Sequence, residues 1–234
     1  MITKIIIASI IGAFSSLDSS LFANIMISRP IVLCPILGFV FKDVALGFQL
    51  GFLFEFLFSD ILYVGAYIPI NISFLGTIVM GAIFLLPYLG DSLIMFVIIV
   101  AICIAYIFRH IEIAFRLFNS LVAEKIVDAV KNEKYYMVYL GIAYSLLSFL
   151  ILNFFMLFFF ILLTSELTKI VFIKLPYNII ITLRALYNFL PILGFAVVLN
   201  IFLAGDFKNW IKNKIVFYNI NFKDWINMKS SFKK

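Results

Sequence analysis

Four stretches of this chain, residues 61–90, 92–108, 135–165 and 185–205, contain no charged side chain. A helix crosses the hydrocarbon core of a bilayer with about 20 apolar residues, so runs of this length read directly as membrane segments. A soluble core cannot absorb them: 65% of the 234 residues are hydrophobic and only 13% are charged, which leaves too few polar side chains to cover an aqueous surface. The expected fold is therefore all-α, a polytopic transmembrane helical protein.

The interruptions say more than the runs. As one straight helix, residues 61–90 would reach about 45 Å against a core of about 30 Å. Gly65, Pro69 and Asn71 in YVGAYIPIN supply a break, because proline removes a backbone donor and a polar side chain can take up a freed group. Residues 5–59 are punctuated by Asp18, Arg29-Pro30, Pro35, Lys42-Asp43 and Glu55. Such a pattern predicts re-entrant or discontinuous helices, which line transport paths because irregular backbone at membrane depth needs protein or water around it. Between residues 110 and 132, Glu112, Arg116, Ser120, Glu124, Asp128 and Lys131 recur at three- and four-residue steps opposite Ile111, Phe115, Phe118, Val122, Ile126 and Ala129. That is an amphipathic helix, lying along the cytoplasmic surface or packed as a connector on other helices.

The formal charge is +6, and residues 206–234 hold seven Lys against two Asp, a contribution of +5. Charge trailing a greasy body orients a membrane protein by the positive-inside bias and does not describe a nucleic-acid-binding face. Residues 1–205 are thus read as the membrane-embedded domain and 206–234 as a basic cytoplasmic tail. The apolar N-terminus lacks a cleavage site of the A-x-A type and is read as retained. The remaining topology is a span over 135–165, an outer loop near 166–174 and an inward span over 185–205.

No catalytic motif is present, and with one histidine, His110, and two isolated cysteines, Cys34 and Cys103, neither a metal site nor a disulfide framework is expected. His110 reads as interfacial polarity and both cysteines as packing residues. Ionisable groups inside apolar segments carry more weight, since placing one in lipid costs several kcal/mol. Glu55 in GFQLGFLFEFLF has no basic residue within a helical turn; it binds a substrate, or is neutralised in place or by a distant helix. Asn71 serves the helix break or a substrate hydroxyl. Asp18, among four serines, reads as a cap; Arg29-Pro30 and Lys42-Asp43 read as boundaries of short helices; Arg184 reads as a snorkelling cation.

The order of these residues resembles the N-terminal signature of the membrane IIC subunit of mannose/fructose/sorbose-family phosphotransferase systems. Its stretch is MISRPIVLCPILGFVFKDVALGFQLGFLFEFLFSDILYVGAYIPIN, with Arg29-Pro30, Asp43, Glu55 and Gly65-Ala66 on the matching positions, and a weaker likeness runs over residues 185–206. The resemblance implies a permease subunit that translocates a hexose or amino sugar across the bacterial inner membrane, coupled to phosphorylation by partners. It implies a IID-like membrane subunit, soluble IIA and IIB phosphocarriers, a homo-oligomeric complex, no cofactor and no catalytic residue on this chain. Substrate would be held by Glu55, Asn71, Gly65 and Ala66, with Asp18, Arg29 and Asp43 in structural or translocation roles. The family's Pro-Asp is Ile70-Asn71 here, its Gly before Asp43 is Lys42, and its further membrane segments after Asp206 are replaced by a charged stretch. A IIC-like scaffold that docks partners without transporting is the alternative expectation.

Overall fold

The computed structural model describes residues 2–20, 25–59, 68–86 and 90–203. Seven helices and no strand occur among the described residues: α1 (Ile2–Ser20), α2 (Pro30–Phe41), α3 (Val44–Leu57), α4 (Ile72–Ile83), α5 (Asp91–Lys131), α6 (Tyr136–Phe172) and α7 (Tyr177–Leu203). The helices α5, α6 and α7 are long and apolar enough to cross a membrane. The tail over 206–234 lies outside the described residues, as do Gly65 and Ala66.

α2 and α3 form a hairpin too short to span. With 12 and 14 residues they rise about 18 and 21 Å, less than the hydrocarbon thickness, which fits the short, interrupted helices expected of the punctuated sequence. Pro30 opens α2 at its first helical position, where a missing N–H costs nothing. α2 stops at Lys42, which adopts a left-handed conformation (φ 71°). The next residue, Asp43, starts α3 by accepting a hydrogen bond from the Leu46 N–H at 3.0 Å, the ordinary N-cap contact. The two helices then lie backbone against backbone: a Cβ on Gly47 would stand 2.6 Å from the Cys34 carbonyl oxygen, and one on Gly51 would stand 2.8 Å from that of Pro30.

α4 is apolar on every face and buried from Ser73 to Ile83, as such a helix must be. It runs parallel to α2. The Ser73 hydroxyl donates to the Ser28 carbonyl at 2.7 Å at their starting ends, and Phe41 stacks on Phe84 at 4.7 Å at their finishing ends. Phe74 stacks on Phe108 of α5 at 3.7 Å and meets Phe160 of α6 edge-on. Small residues let α1 close on this core: Gly12 has no room for a Cβ beside Thr77 of α4 and Leu157 of α6, the close approach on which helices in lipid rely. The buried hydroxyls of Thr77, Thr164 and Thr168 donate to carbonyls one turn back at 2.7–2.8 Å, so they need no partner from another helix.

Several sequence-level boundaries shift. The amphipathic stretch is the C-terminal half of α5, continuous with the span that begins at Asp91. At 41 residues α5 measures about 60 Å, twice the hydrocarbon thickness. Its extension pairs with the start of α6: Asn119 donates to Ser145 at 3.2 Å, Phe115 meets Phe149, and Ile126 fills the gap at Gly141. The connector reading, with the helix packed on its neighbours, therefore describes this segment. Glu166 and Lys169, expected in an outer loop, lie within α6 and bond to each other at 2.7 Å. α7 begins at Tyr177, eight residues before the uncharged run suggests.

Candidate substrate site

Four helix ends converge at one end of the bundle, where two of the four sequence-selected polar side chains, Asp18 and Asn71, are held by backbone contacts and the other two, Arg29 and Glu55, hold each other. Asp18, in the last turn of α1, accepts from the Ile25 N–H at 2.7 Å and the Ser28 N–H at 3.2 Å. It ties down the connection to α2 and does not cap a helix start, which corrects the expectation for SSLDSS. Ser15 donates to the Ile27 carbonyl at 3.2 Å, and Ser73 of α4 takes the Ser28 carbonyl. The segment before Arg29 is thereby clamped between α1 and α4. Arg29 itself precedes Pro30 with extended backbone (ψ 135°), as a residue before proline prefers.

Glu55 enters this end from the last turn of α3. Its Oε1 accepts from Arg29 Nη1 at 3.3 Å, so the neutralising partner is a cation 26 residues away on the preceding helix. Arg29 is 47% exposed and Glu55 23% exposed. The other oxygen, Oε2, is buried and has no hydrogen-bond partner among the described residues. A buried carboxylate oxygen without a donor is costly, and a ligand hydroxyl is one group that satisfies it.

Asn71 is the N-cap of α4 and accepts from the Phe74 N–H at 3.1 Å. Its amide oxygen is thus committed to the break that YVGAYIPIN announces, and the side chain is nearly buried at 5% exposure. Asn71→Ala is expected to cost about 1 kcal/mol, whereas Asn71→Ser keeps an acceptor and restores most of it. Thermal unfolding in detergent checks this: equal melting temperatures for the two variants would contradict the capping role.

The structure gathers Asp18, Arg29, Glu55 and Asn71 at one end and puts Asp43 at the opposite tip of the α2–α3 hairpin. Arg184 is not a lone snorkelling cation, because its Nε lies 3.7 Å from Asp91 Oδ2 on α5. Cys34 is buried, as a packing residue should be, but Cys103 is exposed on the outside of α5. His110 is exposed and touches Tyr106 edge-on at 5.7 Å. Sequence reasoning missed Ser28 and Ser73, whose only signal is proximity to Arg29 and Asn71. It also missed Gln49 and Asn188, amides in apolar helices that line a cavity between α3 and α7. No cluster of three or more potential metal ligands occurs among the described residues.

Among protein families, the model of the PTS system sorbose-specific IIC component matches residues 2–216. No curated protein matches the chain in sequence. Among solved structures it is similar to one described as a membrane protein, with a TM-score of 0.69 and 17% identity over 93% of this chain and 85% of the other. It is also similar to the mannose transporter ManYZ in complex with microcin E492, with a TM-score of 0.54 and 16% identity over the same shares of the two chains.

Proposed function

Because the chain belongs to the family of sorbose-specific IIC components of phosphotransferase systems, we propose that it is the permease subunit that carries a hexose or amino sugar across the bacterial inner membrane. Phosphorylation of the sugar would be performed by soluble IIA- and IIB-like partners, and a IID-like membrane subunit would complete the path, in an assembly of several such pairs. The observation that carries the site assignment is Glu55: one oxygen is held by Arg29 and the other is buried without a donor. A carboxylate fixed by a cation and still able to accept is suited to a sugar hydroxyl, because hydrogen bonds to charged groups are the strong ones. Asn71 is proposed to border the same site, and Gly65 and Ala66 to contribute to it.

The positive-inside bias supports a cytoplasmic position for the α5–α6 connection, where Lys125, Lys131 and Lys134 cluster, and for the tail. Phe108, at the inner limit of the α5 span, stacks on Phe74 of α4. In that orientation the Arg29–Glu55 end faces the compartment in which a phosphocarrier would meet the sugar.

The test is phosphoenolpyruvate-dependent uptake of labelled mannose, sorbose, fructose and glucosamine by vesicles that carry the chain with its partner subunits. Intravesicular sugar phosphate is the expected result with at least one of them. An inserted, partner-bound chain that accumulates none would instead support the scaffold reading.

A further inference from the structure

We propose that the crevice between α3 and α7 is a second, carbohydrate-binding subsite on the transport path, separate from the Arg29–Glu55 end; this rests on the sugar-permease reading above. The crevice encloses about 330 Å³, within the range of small-ligand sites. Phe52 and Phe56 on α3 and Tyr187 on α7 give it aromatic walls, and Gln49 on α3 and Asn188 on α7 give it two amides. Both amides are exposed in predominantly apolar helices. Amides displayed to lipid would be unfavourable, and polar side chains at membrane depth usually face a cavity or a pathway.

The chemistry of the lining is that of a hydroxylated ring. A sugar ring offers C–H faces that fit against aromatic rings and a rim of hydroxyls that both donate and accept. Asn and Gln also donate and accept, so one amide can engage neighbouring hydroxyls in either sense. The backbone adds an acceptor. Pro191 lies inside α7 and has no N–H, so the Tyr187 carbonyl one turn earlier loses its regular helical donor. Residues 187 and 191 both line the crevice. Among the lining residues none is charged, and Arg184, one turn before Asn188, lies 3.7 Å from Asp91. Gly194 closes the crevice below, where a Cβ would stand 2.9 Å from that of Phe56.

The assembled complex in vesicles provides the test. In a Cys103→Ser background, with Cys34 fully buried, single Gln49→Cys and Asn188→Cys variants are treated with a membrane-impermeant maleimide, with Tyr139→Cys on the exposed face of α6 as control. All three are surface positions, where substitution is well tolerated. Both crevice cysteines are expected to react. Whichever of mannose or sorbose is transported, at ten times the half-saturating concentration measured for each variant, should slow their labelling about tenfold by occupancy and leave Tyr139→Cys unchanged. Asn188→Ala should raise the KM for uptake by up to about tenfold, the loss of one neutral hydrogen bond, with normal amounts of complex. Sugar uptake by the unmodified chain with unreactive or unprotected crevice cysteines overturns the subsite alone. Absence of uptake of every sugar overturns both the subsite and the permease reading.

Discussion

A chain carrying Gly47→Val is expected to fail to accumulate as a folded membrane protein. Gly47 is where α3 lies directly on α2: a Cβ there would approach the Cys34 carbonyl oxygen to 2.6 Å and the Pro35 Cα to 3.0 Å. Both are backbone atoms of a helix that already contains a proline, so neither can swing aside as a side chain would. Inserting even one methylene into a packed core typically costs 1–3 kcal/mol. A branched side chain against backbone should exceed that range, at about 3 kcal/mol or more. The hairpin can relieve the clash only by splaying, which would uncover Leu33, Leu37, Leu50 and Phe54, all at 5% exposure or less. Gly76→Ala provides the comparison, because its Cβ would meet only the Cys34 sulfur, at 3.1 Å, and a milder effect is expected. Detergent-solubilised yield by fluorescence-detected size exclusion measures both. A monodisperse Gly47→Val protein at normal yield would show that the α2–α3 contact does not hold the hairpin together.

Glu55→Ala should do the reverse, leaving the fold and removing transport. The ion pair with Arg29 is partly solvated, and Arg29 is 47% exposed, so the released guanidinium can reach water and the pair contributes little to stability. Loss of the carboxylate takes away the buried Oε2, the acceptor without a protein donor. A hydrogen bond to a charged group contributes about 1.5–3 kcal/mol, so uptake at low sugar concentration should fall by roughly 10- to 150-fold. Glu55→Gln, which keeps shape and one acceptor, should lie between. The readout is initial-rate uptake normalised to the amount of assembled complex. Uptake at the wild-type rate in the alanine variant would remove Glu55 from the substrate path and leave Arg29–Glu55 as a structural clasp.

The elements legible in the sequence were those with local causes. Pro30 at a helix start, Lys42-Asp43 at a reversal and Asn71 at the start of α4 all act through the backbone within four residues, and their side-chain chemistry states that role. The length of α5 was not legible for the opposite reason. Hydropathy changes near Arg109, but no Gly or Pro intervenes between Asp91 and Lys131, so a change of solvent along the helix left no change of backbone to read. The extent of α6 past Glu166 is similar, because Glu166 and Lys169 at an i,i+3 spacing pair on the helix surface and do not end it.

Composition and run length alone pointed to an all-helical membrane protein, because the hydropathy of 61–90, 92–108, 135–165 and 185–205 depends on each segment's own side chains. The resemblance carried by Arg29-Pro30, Asp43 and Glu55 pointed to the family that the match over residues 2–216 establishes. Which of those groups meet was decided only by the tertiary structure. Arg29 reaches Glu55 because glycines let α3 fold back along α2, Asp91 reaches Arg184 because α7 packs on α5, and Gln49 and Asn188 line one crevice because α7 lies beside α3, with Gly194 close to Phe56. Each is a contact between segments far apart in the chain, set by how closely backbones can approach, and no spacing along one helix encodes it.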